Sequence, residues 1–234
     1  MDAPADRLLH FVVVPFPMQG HTNPMLQLAQ VLAGSAYGCL VTFVNTEYNQ
    51  KLYEEREGRA VADQMSGRLR KVGLNDGLPL DAPRNSEEEM AKVIQSLPLH
   101  MKPQLERLLK QLNASPTPVS RIIADLFLPW LQSLVCSPAQ PPLIGFSVTC
   151  VAQIATIYRL PHLVSSGQLC PLDGSLLNTT TTRLSVIPRL LAFEARNLPW
   201  CTGDPQGSVG LFQFVMNLQQ QYMPQFRALR INSF

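Results

Sequence analysis

A β-branched, apolar run from Leu8 to Val14 is followed within a few residues by Met25, Leu28, Ala29 and Leu32, apolar positions at helical spacing. The run is of the kind that fills a sheet buried on both faces. The spacing that follows is the single apolar stripe of an amphipathic helix. A strand running straight into a helix is half of a βαβ unit, and a chain of such halves can close only as a parallel sheet. Between the two, Asn23 is expected to cap the helix and Pro24 to be its first residue. Gly20 is expected to allow close backbone approach at the turn. His21 is left at the helix mouth, where ligands of open α/β sheets bind.

The alternation continues. Leu40–Val44 reads as a second strand ending at Asn45, with a helix from about Glu47. Leu69–Leu74 reads as a third strand, and Asn75-Asp76-Gly77-Leu78-Pro79 after it has the composition of a turn. Ser86 and Glu89 form a capping box, so a helix is expected to run from there to about Leu97. Pro98 is expected to interrupt it, after which Leu105, Leu108, Leu109 and Leu112 continue an apolar face. Arg121–Asp125 is a short buried strand ending in an acid. Leu143–Phe146 is another, with a helix expected from Thr149 to Leu160. Beyond Pro161 the pattern dissolves into Gly-, Pro- and Thr-rich sequence that includes residues 179–182. A last helix is expected from about Val209 to Tyr222, and Leu229–Asn232 reads as a closing strand. The fold class is α/β, a doubly wound parallel sheet of order 3-2-1-4-5, with no internal repeat and no clear domain boundary.

Composition narrows the function. In 234 residues the net charge is only +2 and evenly spread, which argues against nucleic acid or an anionic membrane as partner. Five cysteines, Cys39, Cys136, Cys150, Cys170 and Cys201, are widely separated. Their odd number and lack of C-x-x-C spacing disfavour a disulfide framework or a zinc site, leaving buried free thiols in a reducing, cytoplasmic setting. The sequons at Asn113 and Asn178 are read as coincidental. Asp2 and Asp6 stand where a signal peptide would be basic, and no stretch approaches a transmembrane length.

In the expected strand order, the first and fourth strands are neighbours at the switch point, and the crevice at their carboxyl ends is the usual ligand site. His21 follows the first strand and Asp125 ends the fourth, so residues a hundred positions apart are expected to meet. An Asp bonded to one imidazole nitrogen fixes the tautomer and steadies the imidazolium, which leaves the other nitrogen as a base. The positive end of the helix favours the neutral ring. His10, His100 and His162 have no comparable partner and are read as structural or exposed. The dinucleotide fingerprint, the phosphate-loop lysine, the G-x-S-x-G elbow and clustered metal ligands are all missing, so no metal and no tightly held cofactor is expected.

The stretch from His10 to Ala29, with Phe16-Pro17-Met18-Gln19-Gly20-His21 at its centre, and Val41-Thr-Phe-Val-Asn-Thr-Glu47-Tyr-Asn49 resemble the start of a plant UDP-glycosyltransferase. Further similar motifs keep that family's order: Asp76-Gly77-Leu78-Pro79, Ile123-Ala-Asp125-Leu-Phe-Leu-Pro-Trp130, Tyr158-Arg-Leu-Pro161, Ile187-Pro188, Asn197-Leu-Pro199-Trp200 and Ile231-Asn232-Ser233-Phe234. The resemblance implies that residues 1–234 are the N-terminal, acceptor-binding, Rossmann-like half of a two-domain GT-B type enzyme. It implies that His21 deprotonates the hydroxyl of a small apolar acceptor, that Asp125 orients His21, and that the oxygen displaces UDP from a UDP-sugar with inversion and without a metal. Met18, Gly20, Phe127, Phe146 and Ser147 are then candidates for the acceptor pocket. The family's C-terminal UDP-sugar motif is not in the sequence. The resemblance therefore implies that UDP-sugar is engaged only with a separate C-terminal domain and that the chain alone transfers no sugar. A non-catalytic small-molecule-binding module, or a half-enzyme completed by a partner domain, remain alternatives.

Overall fold

A computed structural model describes residues 8–36, 38–57, 67–84, 87–135, 140–177, 183–186, 192–201 and 205–232. Asp2, Asp6, Ser86, Cys136, Asn178, residues 179–182, Ile187-Pro188 and Ser233-Phe234, each given a reading above, lie outside them. The chain forms two compact units, one of residues 1–148 with 227–230 and one of residues 149–226 with 231–234.

The first unit is built on a sheet of β1 (His10–Val14), β2 (Leu40–Thr46), β3 (Leu69–Leu74), β4 (Arg121–Asp125) and β5 (Leu143–Ser147). A last strand, β8 (Ala228–Ile231), borders β5, so the order is β3-β2-β1-β4-β5-β8. The pairings of β1 with β2 and β4, of β2 with β3 and of β4 with β5 are parallel, with Val13 opposite both Phe43 and Ile123. Successive side chains of a strand point to opposite faces. Val13, Val41, Phe43, Ile123 and Phe146 share one apolar cluster with Met25, Leu26, Ala29 and Ala33 of α1 (Gln19–Gly34). Val12, Val14 and Ile122 point the other way and are equally buried. Both faces are covered at the centre of the sheet, which is why β1 and β4 are near-continuous apolar runs, whereas the edge strand β3 keeps Arg70 and Lys71.

Two further helices belong to this unit, α2 (Glu47–Glu57) and α3 (Glu87–Asn113). Thr46 caps α2, its hydroxyl accepting the Asn49 N–H at 3.2 Å. The expected break at Pro98 does not occur; α3 runs through Pro98 and Pro103. A proline in a helix costs about 3 kcal/mol. Leu97, Met101 and Leu105 are each about 1% exposed on the same face, and burial of each contributes about 1.5–3 kcal/mol. With Val93, Leu108, Leu109 and Leu112 also buried, these side chains together outweigh the two prolines. The turn after β3 is as expected: Gly77 has φ +83°, and the Asn75 and Asp76 carboxamide and carboxylate oxygens accept the N–H groups of Gly77 and Leu78. Buried Arg84 pairs with Asp76 and lies over the Tyr48 ring, closing this loop onto α2.

The second unit holds α4 (Val151–Ser165), the two-residue strands β6 (Arg183–Leu184) and β7 (Phe193–Glu194) paired antiparallel, and α5 (Pro205–Asn217). Helix α4 passes Pro161 instead of stopping before it, because Ile157, Leu160 and Leu163 form one buried stripe across that position. Helix α5 ends at Asn217, and the expected continuation to Tyr222 is a wider π-type turn. Trp200 and Phe212 meet edge to face at 5.3 Å in the core of this unit. Among the described residues no cysteine is in a disulfide, and the thiols are not uniformly buried: Cys39 is buried and Cys170 half-buried, whereas Cys150 and Cys201 are exposed.

Candidate active site

Helix α1 begins earlier than its sequence signals suggest, at Gln19, and Pro24 lies inside it. The cause is the tight turn that ends β1. Met18 N–H reaches back to the Phe16 carbonyl at 2.8 Å, and the N–H groups of His21 and Thr22 then both bond to Met18 O at 2.9 and 2.8 Å. His21 therefore stands in the first helical turn and not in a loop before it. Asn23 is no cap; its side-chain oxygen accepts the Tyr53 hydroxyl at 2.6 Å. Gly20 has ordinary helical geometry, and a side-chain carbon added there would meet nothing within 4 Å. The close backbone approach expected of it is absent.

From the neighbouring strand, Asp125 is brought to His21. The imidazole Nδ1 lies 2.8 Å from Asp125 Oδ2. The carboxylate is fully buried and the histidine side chain is 16% exposed. Because a carboxylate accepts, Nδ1–H donates, and Nε2 is the nitrogen left with its lone pair. The other carboxylate oxygen accepts the Phe127 N–H at 2.9 Å. Both oxygens are thus held, one by backbone and one by the ring. The chain folds this way because β4 ends at Asp125 directly beside the carboxyl end of β1, with Val14 opposite Ala124.

Two phenyl rings enclose the imidazole. Phe16 and Phe127 each stand edge to face with it at 5.2 Å, and their own centroids are 6.0 Å apart. Phe16 carries no polar group and was not singled out by sequence reasoning; its place beside His21 follows from the turn and not from any local pattern. Of the other candidates, Met18 is exposed at the start of α1 and Ser147 is buried at the end of β5. Phe146 packs into the apolar cluster beneath α1. Among the described residues, no group of three or more His, Cys, Asp or Glu side chains could hold a metal ion, and no helix is long and apolar enough to cross a membrane.

His10 illustrates the other kind of histidine. It is 1% exposed at the start of β1, with Nδ1 3.0 Å from the Thr117 carbonyl and Nε2 2.9 Å from the Thr42 hydroxyl. The carbonyl requires Nδ1–H, so Nε2 accepts from Thr42. Burial pushes its pKa below the usual value. It is a structural residue.

No protein-family model matches the chain. Comparison with known proteins is nevertheless specific. The chain is 42% identical over 118 residues to (R)-mandelonitrile beta-glucosyltransferase of Prunus dulcis, across 50% of this chain and 24% of that protein. It is 26% identical over 237 residues to 7-deoxyloganetin glucosyltransferase of Catharanthus roseus, across 96% of this chain and 46% of that one. The crystal structure of UDP-glucose:anthocyanidin 3-O-glucosyltransferase in complex with UDP superimposes with a TM-score of 0.67 at 18% identity, covering 96% of this chain and 47% of the other. The chain thus spans half or less of the length of these curated relatives. Relatives and structural neighbours alike are plant UDP-glycosyltransferases, and the chain resembles the N-terminal half of such a transferase.

Proposed function

We propose that this chain is the acceptor-binding, proton-accepting half of a UDP-glycosyltransferase that glucosylates a hydroxyl of a small, largely apolar molecule. The 2.8 Å hydrogen bond between His21 Nδ1 and the buried Asp125 carboxylate carries the reading. With Nδ1–H committed, Nε2 accepts the proton of the acceptor hydroxyl as the oxygen attacks the anomeric carbon of the sugar. The new C–O bond forms as the bond from that carbon to the UDP oxygen breaks, UDP departs with the electron pair, and the configuration inverts. The proton rests on His21 as imidazolium, and Asp125 stabilises it. The walls formed by Phe16 and Phe127 keep the ring in an apolar setting where that charge interaction is strong. Met18 and the open space at Gly20 lie on the same first turn and would border the acceptor.

The names of the relatives support a small acceptor and a UDP-sugar donor. The donor is assigned to the half of such enzymes that this chain does not span, so UDP-sugar engages only when that half is present. The free thiols fit a reducing compartment, and we assign the protein to the cytoplasm. In calorimetric titration the chain is expected to bind a flavonol and not UDP-glucose alone. Joined to a C-terminal donor domain it is expected to transfer glucose, and His21→Ala is expected to slow the transfer about 10²–10⁴-fold. UDP-glucose binding with no flavonol binding would overturn the assignment.

A further inference from the structure

The first turn of α1, which carries His21, has local support from the His21 and Thr22 N–H bonds to Met18 O and from the Thr22 hydroxyl, which donates to the Phe16 carbonyl at 3.3 Å, but it lacks other reinforcement. Met18 at its start makes no side-chain capping bond, and no acidic residue lies in the first turn. Pro24 has no N–H to give to the Gly20 carbonyl, so a bond of the helix is missing one turn beyond the histidine. A turn with no side-chain cap and a missing bond leaves backbone groups without intrahelical partners, yet a base must hold its nitrogen within about 0.5 Å of its working position.

Helix α2 supplies what α1 lacks. Its own start is fixed: Thr46 accepts the Asn49 N–H, and Asn45 Oδ1 accepts both the Thr46 N–H at 2.8 Å and the Asn49 amide at 3.1 Å. From that anchored turn, Asn49 Nδ2 donates to the Pro17 carbonyl at 3.1 Å. One helical turn later, the Tyr53 hydroxyl donates to Asn23 Oδ1 at 2.6 Å. Positions 49 and 53 share a face of α2, and their two bonds flank His21: one holds Pro17 in the turn before α1, four residues before the histidine, and the other holds Asn23 in the helix, two residues after it. The groove between the helices, lined by Gln19, Thr22, Asn49, Leu52 and Tyr53, is the seam these bonds close.

We propose that Asn49 and Tyr53 are positioning residues for His21: they clamp the chain on either side of it, at Pro17 and Asn23, so that the imidazole stays aligned on Asp125. The catalytic consequence rests on the base assignment above, but the alignment itself does not. The test labels the histidine rings of the chain with 15N and follows the His21 Nδ1–H resonance, assigned by its loss in His21→Gln. Asn49→Ala and Tyr53→Phe are compared with Lys51→Ala, which alters the exposed side of the same helix. The expected result is at least tenfold faster exchange of that proton in both seam variants and wild-type exchange in Lys51→Ala, with melting temperatures within a few degrees. Unchanged His21 exchange in Tyr53→Phe, which keeps the ring and removes only the hydroxyl, overturns the proposal even where Asn49→Ala fails to fold. In the enzyme completed by its donor half, the seam variants are expected to lower kcat about tenfold with the acceptor KM unchanged. Full turnover in His21→Ala would instead sink the base assignment and leave the exchange result standing.

Discussion

The imidazole of His21 is held at one nitrogen and walled by two rings, so its removal has two separable effects. In an enzyme with its donor half, His21→Ala is expected to cost about 10²–10⁴-fold in kcat, the contribution of a general base; steady-state assays with saturating acceptor measure it. Asp125→Ala is expected to lose activity with less effect on acceptor affinity, because one carboxylate oxygen holds the ring while the other holds only the Phe127 N–H. His10 has the opposite character. Its folded pKa lies below the ordinary value near 6.5 because burial penalises the charged ring, with Arg70 adding to the effect and the Thr117 carbonyl opposing it. Below about pH 6.5 the unfolded chain therefore binds a proton that the folded chain refuses. The stabilisation is complete above that pH and is lost as pH falls through the folded value. Denaturant midpoints measured from pH 8 to pH 5 are expected to fall less steeply in His10→Gln than in the parent. At this scale the sequence identified the His21 and Asp125 partners, because strand order and chain position suffice to place them at one switch point. It gave no role to Phe16 and Asn49, although both lie in the motifs that carry the family resemblance, nor to Tyr53, because their side chains matter through neighbours distant in sequence.

Elements were legible wherever their signal was periodic and buried, and less so where single residues were taken as punctuation. Strands β3 to β5 have the bounds that their apolar runs suggest, to within one residue, whereas β1 starts two residues later than Leu8, at His10, and β2 extends to Thr46. Pro24, Pro98 and Pro161 all read as boundaries, and all three lie inside helices. A proline weighs one lost hydrogen bond, whereas the apolar stripe that carries the helix past it weighs several buried side chains. Glycine geometry yields a paired prediction in the second unit. Gly167 and Gly174 both have φ +70°. An added side-chain carbon at Gly167 meets nothing within 4 Å, so Gly167→Ala is expected to cost only the backbone strain, about 1–2 kcal/mol. At Gly174 it would overlap the rings of Phe212 and Trp200, both 1% exposed or less, and Trp200 Nε1 donates to the Gly174 carbonyl at 3.1 Å. Gly174→Ala is expected to cost at least twice as much, about 3 kcal/mol or more, since two buried rings must shift as well. Chemical denaturation of the two variants side by side measures the difference.

At the scale of the molecule, the first unit is not a continuous piece of chain. Residues 227–230 return to it, and β8 covers the edge that β5 would otherwise present. A chain cut after Val148 is expected to self-associate, because β5, buried at four of its five positions, becomes an exposed apolar edge. Size-exclusion chromatography of the cut chain against the parent reads this directly. The closing strand was visible in Leu229–Asn232, but its neighbour was not, since strand pairing over eighty residues leaves no mark on local periodicity. Hydrophobic periodicity and the placement of a histidine and an acid are properties of short stretches, and they alone determined the alternating order of elements, the doubly wound class and the pair at the switch point. The helix start beneath His21, the 2.8 Å bond to Asp125, the two enclosing rings and the clamp from α2 were decided only by tertiary structure. Each depends on atoms from separate segments competing for the same donors, acceptors and space, and that competition is resolved only when the chain is packed.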